Sequence, residues 1–462
     1  MPSRDATPKL SLLGIAWPIF IEQTLRILIG TVDTFMVSHV SDGAVAALGV
    51  ANQFVVLALI TFNFIGIGAS VVVTHHVGAG DRDGAKRVAA TAIAVNTWIG
   101  LAASLVAFAA AAPLLRFARL PEELMVYARP FLLLMGGTLF MEAMNTAIGA
   151  SLRAHGFTRD AMVVTVTQNI LNVIVSSILL FGFFGAPKLG VPGVALASIF
   201  SRLVASVIFW VLLRRRLHLR LRLRDFFELR LPAIRRILHI GIPAAGENLS
   251  YWLSLMVITS CAARMGAVPL AAMTYTLNVQ RTVILFSISL GLGTEIMIGR
   301  LIGAGAFEEA HRQVVRSVRL GLAVATGGIL VVAAAGPHLL RLFTHDPAIL
   351  ASGVFLLRLA VLYEPGRVLN IVIINALRAT GDARFPIQVA VFSEWCFSVP
   401  LCFFLGLKLH WGLGGIWAAM MTEEWVRGLF MARRWATRRW LKYAERSRGL
   451  VAQETVPTAI EA

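Results

Sequence analysis

The chain has 462 residues, of which 57% are hydrophobic and only 15% charged, and its formal charge is +17. Soluble domains carry about 25% charged residues, so composition excludes an ordinary soluble globular protein. Apolar runs recur at or above the ~20 residues that a bilayer helix needs, and the short alternating segments of a membrane barrel are not seen. The fold class indicated is an all-α polytopic membrane protein.

In chain order, the apolar runs give about twelve predicted helices. The first six start near Ser11, Ala44, Ala85, Met125, Ala161 and Val191, and six more start near Arg235, Pro269, Glu309, Ala351, Phe385 and Leu413. The first run exceeds the ~7–15 residues of a signal h-region and no cleavage motif follows it, so it is expected to remain as a span. A basic stretch at 212–236 separates predicted lobes at 1–211 and 237–440. A tail at 441–462 follows, and its last stretch, "GLVAQETVPTAIEA", reads as disordered.

Basic residues crowd 212–236, 433–448 and connections such as "GDRDGAKR", whereas the intervening "SDG" and "FFGAPKLG" carry little positive charge. This is the positive-inside pattern. It places the 212–236 linker, the tail and both termini in the cytoplasm, implies an even number of spans, and suits the cell inner (plasma) membrane. The basic runs are expected to face anionic lipid headgroups rather than nucleic acid. The Trp and Tyr residues of "RRWATRRWLKY" read as interface anchors. Cys261, Cys396 and Cys402 lie in apolar runs without CxxC spacing and read as small buried side chains.

The halves are repeats. Pro18 and Glu22 recur 225 residues later as Pro243 and Glu247, Gly66 and Gly68 as Gly291 and Gly293, and "LRAHGFTR" as "LRATGDAR". Two six-helix lobes in parallel orientation, with a substrate site near the midplane, are a common plan of secondary transporters.

Charged residues inside spans are the candidate site. An acid at bilayer depth costs roughly 2.5–3.5 kcal/mol on insertion scales and marks function by default. Glu22, Arg26 and Asp33 fall at steps of four and seven, on one helical face. Either they form a structural ion cluster, or Asp33 changes protonation or ion occupancy during transport. In the C-terminal half, Glu364 and Arg367 have intrahelical pair spacing. Glu247, Glu295 and Glu394 either form an acidic cavity for substrate or protons or are paired by Arg281. His75-His76 reads as interfacial rather than metal-binding. "GAGDRDGAK" lacks the Gly-Lys-Ser/Thr spacing of a phosphate loop, and no nucleophile–base set points to an enzyme.

Together these motifs resemble the multidrug and toxic compound extrusion (MATE) family over roughly residues 10 to 440. The marks are "P…E…VDTFMVSHV…AVAALGVANQ", "GIGASVVVTHHVGAGDRDGAKR", the paired "LRAHGFTR" and "LRATGDAR", and "NILNVIVSSILLFGFFGAPKLGVPGVALAS". The resemblance implies a two-lobed antiporter, expected as a monomer, that exports small organic, often cationic and lipophilic compounds in exchange for H⁺ or Na⁺, with no cofactor beyond the coupling ion. It assigns cation coupling to Asp33, Asn172 and Ser198, with Ser176 where many members carry Asp. Loss of that carboxylate weakens a Na⁺ site and favours a proton, whose uptake on a single acid removes the buried charge. The C-lobe acids of some members are replaced here by Tyr251 and Arg367. A lipid-linked precursor flippase of the same superfamily ranks second, and a membrane-embedded enzyme or channel third.

Overall fold

A computed structural model describes residues 11–455, and among these there is no strand. The N-terminal half contains α1 (Leu12–Ser38), α2 (Asp42–Gly78), α3 (Arg82–Ala109), α4 (Ala111–Phe117), α5 (Met125–Gly137), α6 (Leu139–Ala154), α7 (Thr158–Phe181) and α8 (Val191–Arg216). The C-terminal half contains α9 (Leu231–Arg264), α10 (Ala267–Gly303), α11 (Phe307–Ala334), α12 (Gly336–Arg341), α13 (Pro347–Thr380), α14 (Arg384–Lys408), α15 (Gly412–Ala436) and α16 (Leu441–Thr455). Every expected span begins within four residues of its sequence position. Helices α8 and α9 extend into the basic linker from both sides, leaving only residues 217–230 between them, with one 3₁₀ turn at Leu223–Phe226.

Among the described residues, nine helices are long and apolar enough to cross a membrane, and a bent pair makes a tenth. The bent pair is the fourth span, broken by 45° between Glu122–Gly137 and Leu139–Ala154. Thr138 at the break turns its hydroxyl back onto the Leu134 and Met135 carbonyls, and the freed Phe140 N–H donates to Ser104 Oγ at 3.0 Å. Helices α9 and α15 complete six per half. Both carry a heavier polar load, Glu247 on the former and Glu423, Glu424 and Arg427 on the latter. Helix α14 widens to π geometry on both sides of Pro400, which has no N–H to donate to the preceding turn.

The helices sort into two compact units. One holds α1 as far as Phe20, Gly78–Gly80 and the chain from Ile242; the other holds Ile21–Val77 and Asp81–Gly241. The first helix of each half is therefore divided close to its proline, Pro18 or Pro243, so the units do not coincide with the sequence lobes 1–211 and 237–440. Repeat glycines lie at helix contacts inside each unit. A Cβ on Gly68 would lie 2.2 Å from the Ile237 carbonyl oxygen of α9, and one on Gly293 would meet Leu12, Ile15 and Ala16 of α1 at 3.5 Å. Leu12 and Ile237 are themselves 225 residues apart. Small residues permit this approach of helix to helix, which supplies much of the association energy where water offers none.

Three side-chain expectations are corrected. Residues 449–455, expected to be disordered, form the end of α16, while 456–462 lie outside the described residues. Ser447 Oγ of α16 donates to the Thr380 carbonyl at 3.1 Å. Trp435 and Trp440 are 3% and 1% exposed and stack at 4.4 Å, so they are packing residues and not interface anchors. Cys261 and Cys402 are buried as expected, but Cys396 is exposed.

Candidate functional site

Glu22, Arg26 and Asp33 share a face of α1 but have different partners. Glu22 is buried and receives Arg153 NH1 of α6 on both oxygens, at 2.9 and 3.1 Å, and Arg26 at 3.3 Å. The repeat mate Glu247 receives Arg378 NH2 at 2.6 Å. Each pair spans 131 residues, so one ion pair is built twice. It ties the first helix of a half, just after its proline, to the fourth span of that half.

Asp33 has no such partner. Its Oδ1 is buried and accepts no hydrogen bond among the described residues, and the charged group acting on it is Arg202 of α8. Asn172 of α7 donates to Ser198 Oγ of α8 at 2.9 Å, and Ser201 Oγ donates to the Ser198 carbonyl at 3.0 Å. Ser176 follows Asn172 by one turn and is fully buried. The structure therefore joins Asn172 to Ser198 directly. No hydrogen bond links Asp33 to Asn172, Ser176 or Ser198 among the described residues. Three buried oxygens, Asp33 Oδ1, Asn172 Oδ1 and Ser176 Oγ, lack donors. Buried acceptors of this kind cost free energy until a proton, a cation or a donor satisfies them.

Two members of this network, Glu142 of α6 and Arg202, escape sequence reasoning. Arg202 Nε lies 3.3 Å from Glu142 Oε2, and Arg26 NH1 lies 3.9 Å from Glu142 Oε1. Asn145 Nδ2, one turn after Glu142, donates to the Arg202 carbonyl. Charge thus runs as an alternating chain Arg153–Glu22–Arg26–Glu142–Arg202 towards Asp33.

In the C-terminal half, Glu364 and Arg367 do pair, at 2.9 Å. Arg281 is exposed, and the arginines that pair with Glu247 and Glu394 are Arg378 and Arg427. Glu394 also accepts a short hydrogen bond from Ser250 Oγ. Glu295 is buried in α10. Glu423, Glu424 and Arg427 of α15 join this network, and the signal for them is "TEEWVRG", which places an Arg three and four residues after two acids, the spacing of helical ion pairs. His75 and His76 are buried, and His76 Nδ1 lies 2.8 Å from Asp81 Oδ2. Among the described residues no group of His, Cys, Asp or Glu is arranged to hold a metal.

A family model described as MatE matches the chain twice, at residues 18–178 and 243–404, once in each repeat. The chain belongs to the MATE family. It is 39% identical over 439 residues to the uncharacterized transporter YisQ of Bacillus subtilis, covering 95% of this chain and 96% of that one. The probable multidrug resistance protein NorM of Thermotoga maritima is 26% identical, with 94% and 95% coverage. The multidrug resistance protein PmpM of Pseudomonas aeruginosa is also 26% identical, with 94% and 93% coverage. A crystal structure of MATE in the bent conformation superposes with a TM-score of 0.87 at 19% identity, covering 96% and 97% of the two chains, and shares the fold. This MATE protein is accordingly a multi-pass membrane transporter of all-α architecture.

Proposed function

We propose that this MATE transporter is a secondary antiporter of the cell inner membrane, exporting small organic, cationic and lipophilic compounds in exchange for inward protons by alternating access. The observation that carries the proposal is Asp33, an acid in a spanning helix whose Oδ1 is buried without a hydrogen-bond donor and which lies within reach of the Arg202 charge. Glu22 on the same helix is held by two arginines, whereas Asp33 has no repeat mate, because Ile258 occupies the equivalent position. Proton uptake neutralises Asp33 and removes its attraction to Arg202. That leaves Arg202 to Glu142 alone and changes how α1 is held.

Cationic substrates suit the interior. Among the described residues eight acids are buried (Glu22, Glu142, Glu295, Glu364, Asp382, Glu394, Glu423 and Glu424) against four buried arginines (Arg202, Arg367, Arg378 and Arg427), with three less buried ones, Arg26, Arg153 and Arg434, paired to Glu22 and Asp382, so acids stay ahead by a small margin. A surplus of buried negative charge attracts cations and disfavours the pyrophosphate of a lipid-linked precursor.

The test is efflux of a fluorescent organic cation from liposomes containing the purified protein, under separately imposed H⁺ and Na⁺ gradients. Transport driven by the pH gradient and abolished by Asp33→Asn supports the reading. Asp33→Asn protein that keeps gradient-driven efflux refutes the role of this acid, and transport driven by Na⁺ alone refutes the proton.

A further inference from the structure

The densest charge in the interior lies in the unit that does not contain Asp33. Six side chains form it: Glu364 and Arg367 on α13, Glu394 on α14, and Glu423, Glu424 and Arg427 on α15, none more than 5% exposed. Arg427 serves three carboxylates, Glu394 at 3.0 Å, Glu423 at 3.1 Å and Glu424 at 3.4 Å. Arg367 serves two, Glu364 at 2.9 Å and Glu424 at 3.3 Å. Four acids therefore share two guanidinium groups, and the fully ionised cluster has two negative charges in excess. Arginine does not lose its charge in proteins, so only the acids can restore balance. Uncompensated buried charge costs several kcal/mol per ion, and carboxylates crowded on one cation do not all ionise.

The polar neighbours spread the charge without cancelling it. Ser393 Oγ donates to Glu423 at 2.7 Å, Asn370 Nδ2 donates to Glu424 at 2.8 Å, and Ser250 Oγ donates to Glu394. The ionisable groups acting on the six from outside are Glu247 and Tyr251 of α9, Tyr363 of α13 and Cys402 of α14. Tyrosine and cysteine add no positive charge in either protonation state, and Glu247 already holds Arg378.

A separate observation shows where positive charge is wanted. Glu364 Oε2 and Asn370 Oδ1 are buried and accept no hydrogen bond among the described residues. Asn370 is not an acid, and its Nδ2 is fixed on Glu424, so its amide head lies inside the cluster. Glu364 thus has one bare oxygen. Glu423 is approached by Arg427 Nε without hydrogen-bond geometry, since that nitrogen makes no hydrogen bond. Glu424 bridges both arginines, and Glu394 has Arg427 on one oxygen and Ser250 on the other, whereas Glu364 keeps a bare oxygen and Glu423 has no hydrogen-bonded arginine, so Glu364 and Glu423 are the least compensated acids.

We infer that this cluster is a proton site that holds at least one proton at neutral pH, on Glu364 or Glu423, and is a second proton-handling centre separate from Asp33. A proton needs one oxygen. Na⁺ needs several converging oxygens and would have to sit against two guanidinium groups. The inference goes beyond the Asp33 reading and does not rest on it.

The test is infrared spectroscopy of purified full-length protein carrying Asp33→Asn, at neutral and then alkaline pH. A protonated-carboxyl C=O band is expected at neutral pH that disappears on alkalinisation. It should keep its amplitude when Glu22→Gln is added and lose at least half when Glu364→Gln and Glu423→Gln are added together. Absence of the band in Asp33→Asn protein overturns the proposal, and so does a band that survives both Gln substitutions at full amplitude. A spectrum without the band, whose carboxylate signals shift on adding NaCl, assigns the site to Na⁺ and also overturns it. If the combined variant fails to fold, thermal unfolding of single variants decides. Glu364→Gln and Glu423→Gln each remove surplus charge and should keep or raise the melting temperature, whereas Glu424→Gln should lower it. The reverse order overturns the proposal.

Discussion

Replacing Glu22 with Ala should destabilise the protein through Arg153 rather than through Arg26. Arg153 reaches both carboxylate oxygens, at 2.9 and 3.1 Å, and its side chain is 19% exposed. Arg26 approaches one oxygen at 3.3 Å and is 38% exposed. Breaking a buried pair costs about 3–5 kcal/mol, and the partial exposure of Arg153 brings the expected loss down to about 2–3 kcal/mol. A double-mutant cycle between Glu22 and Arg153 should give a coupling of about 1.5–3 kcal/mol, the range for hydrogen bonds to charged groups. The cycle between Glu22 and Arg26 should stay below about 1 kcal/mol, as for exposed ion pairs. The assay is reversible unfolding in mixed micelles of the wild type, the three single variants and the two double variants. Equal couplings in the two cycles would refute the reasoning, and so would a Glu22–Arg153 coupling below about 0.5 kcal/mol, the usual scatter of additivity. The same cycle on Glu247 and Arg378, at 2.6 Å with 13% and 8% exposure, should give a coupling of the same sign and at least equal size.

Two further outcomes follow from packing. Gly68→Ala drives a Cβ to 2.2 Å from the Ile237 carbonyl oxygen and should cost about 1–3 kcal/mol of stability, whereas Gly30→Ala meets nothing within 4 Å and should gain about 0.5–1 kcal/mol; melting curves of the two purified variants check this. Trp440→Ala empties a site that is 1% exposed and stacked on Trp435, and should cost about 3–5 kcal/mol, read as a lower melting temperature and faster proteolysis of α16.

Much of the fold was legible because a bilayer imposes a simple rule. Backbone groups must be satisfied within each span, so helices announce themselves as long apolar runs, and all twelve were placed within four residues of their observed starts. The repeat was legible for the same reason as its pairs: Glu22 and Glu247 keep one register, and so do Arg153 and Arg378. Sequence spacing also anticipated the Glu364–Arg367 pair, because residues three apart meet on a helix. The exposed position of Arg281, and with it the true partners of Glu247 and Glu394, is not legible in the sequence, since nothing local tells an exposed arginine from one turned inward. Glu142, Glu423, Glu424 and Arg427 were passed over because they lie close to basic helix ends or between weaker motifs, where charge reads as solvated.

By itself, then, the sequence determined the solvent, the number and order of the spans, the duplication and the identity of the unduplicated acid. These depend on hydropathy and register, which are properties of the chain taken a few turns at a time. Tertiary structure alone decided which charges neutralise which. It placed Arg153 on Glu22 across 131 residues, Arg427 among three acids from two helices, and Arg202 on Glu142. It also divided α1 and α9 at their prolines between two packed units. The reason is physical: a charge deep in an apolar interior must find its partner through space, and helices distant in sequence supply that partner only once they have packed.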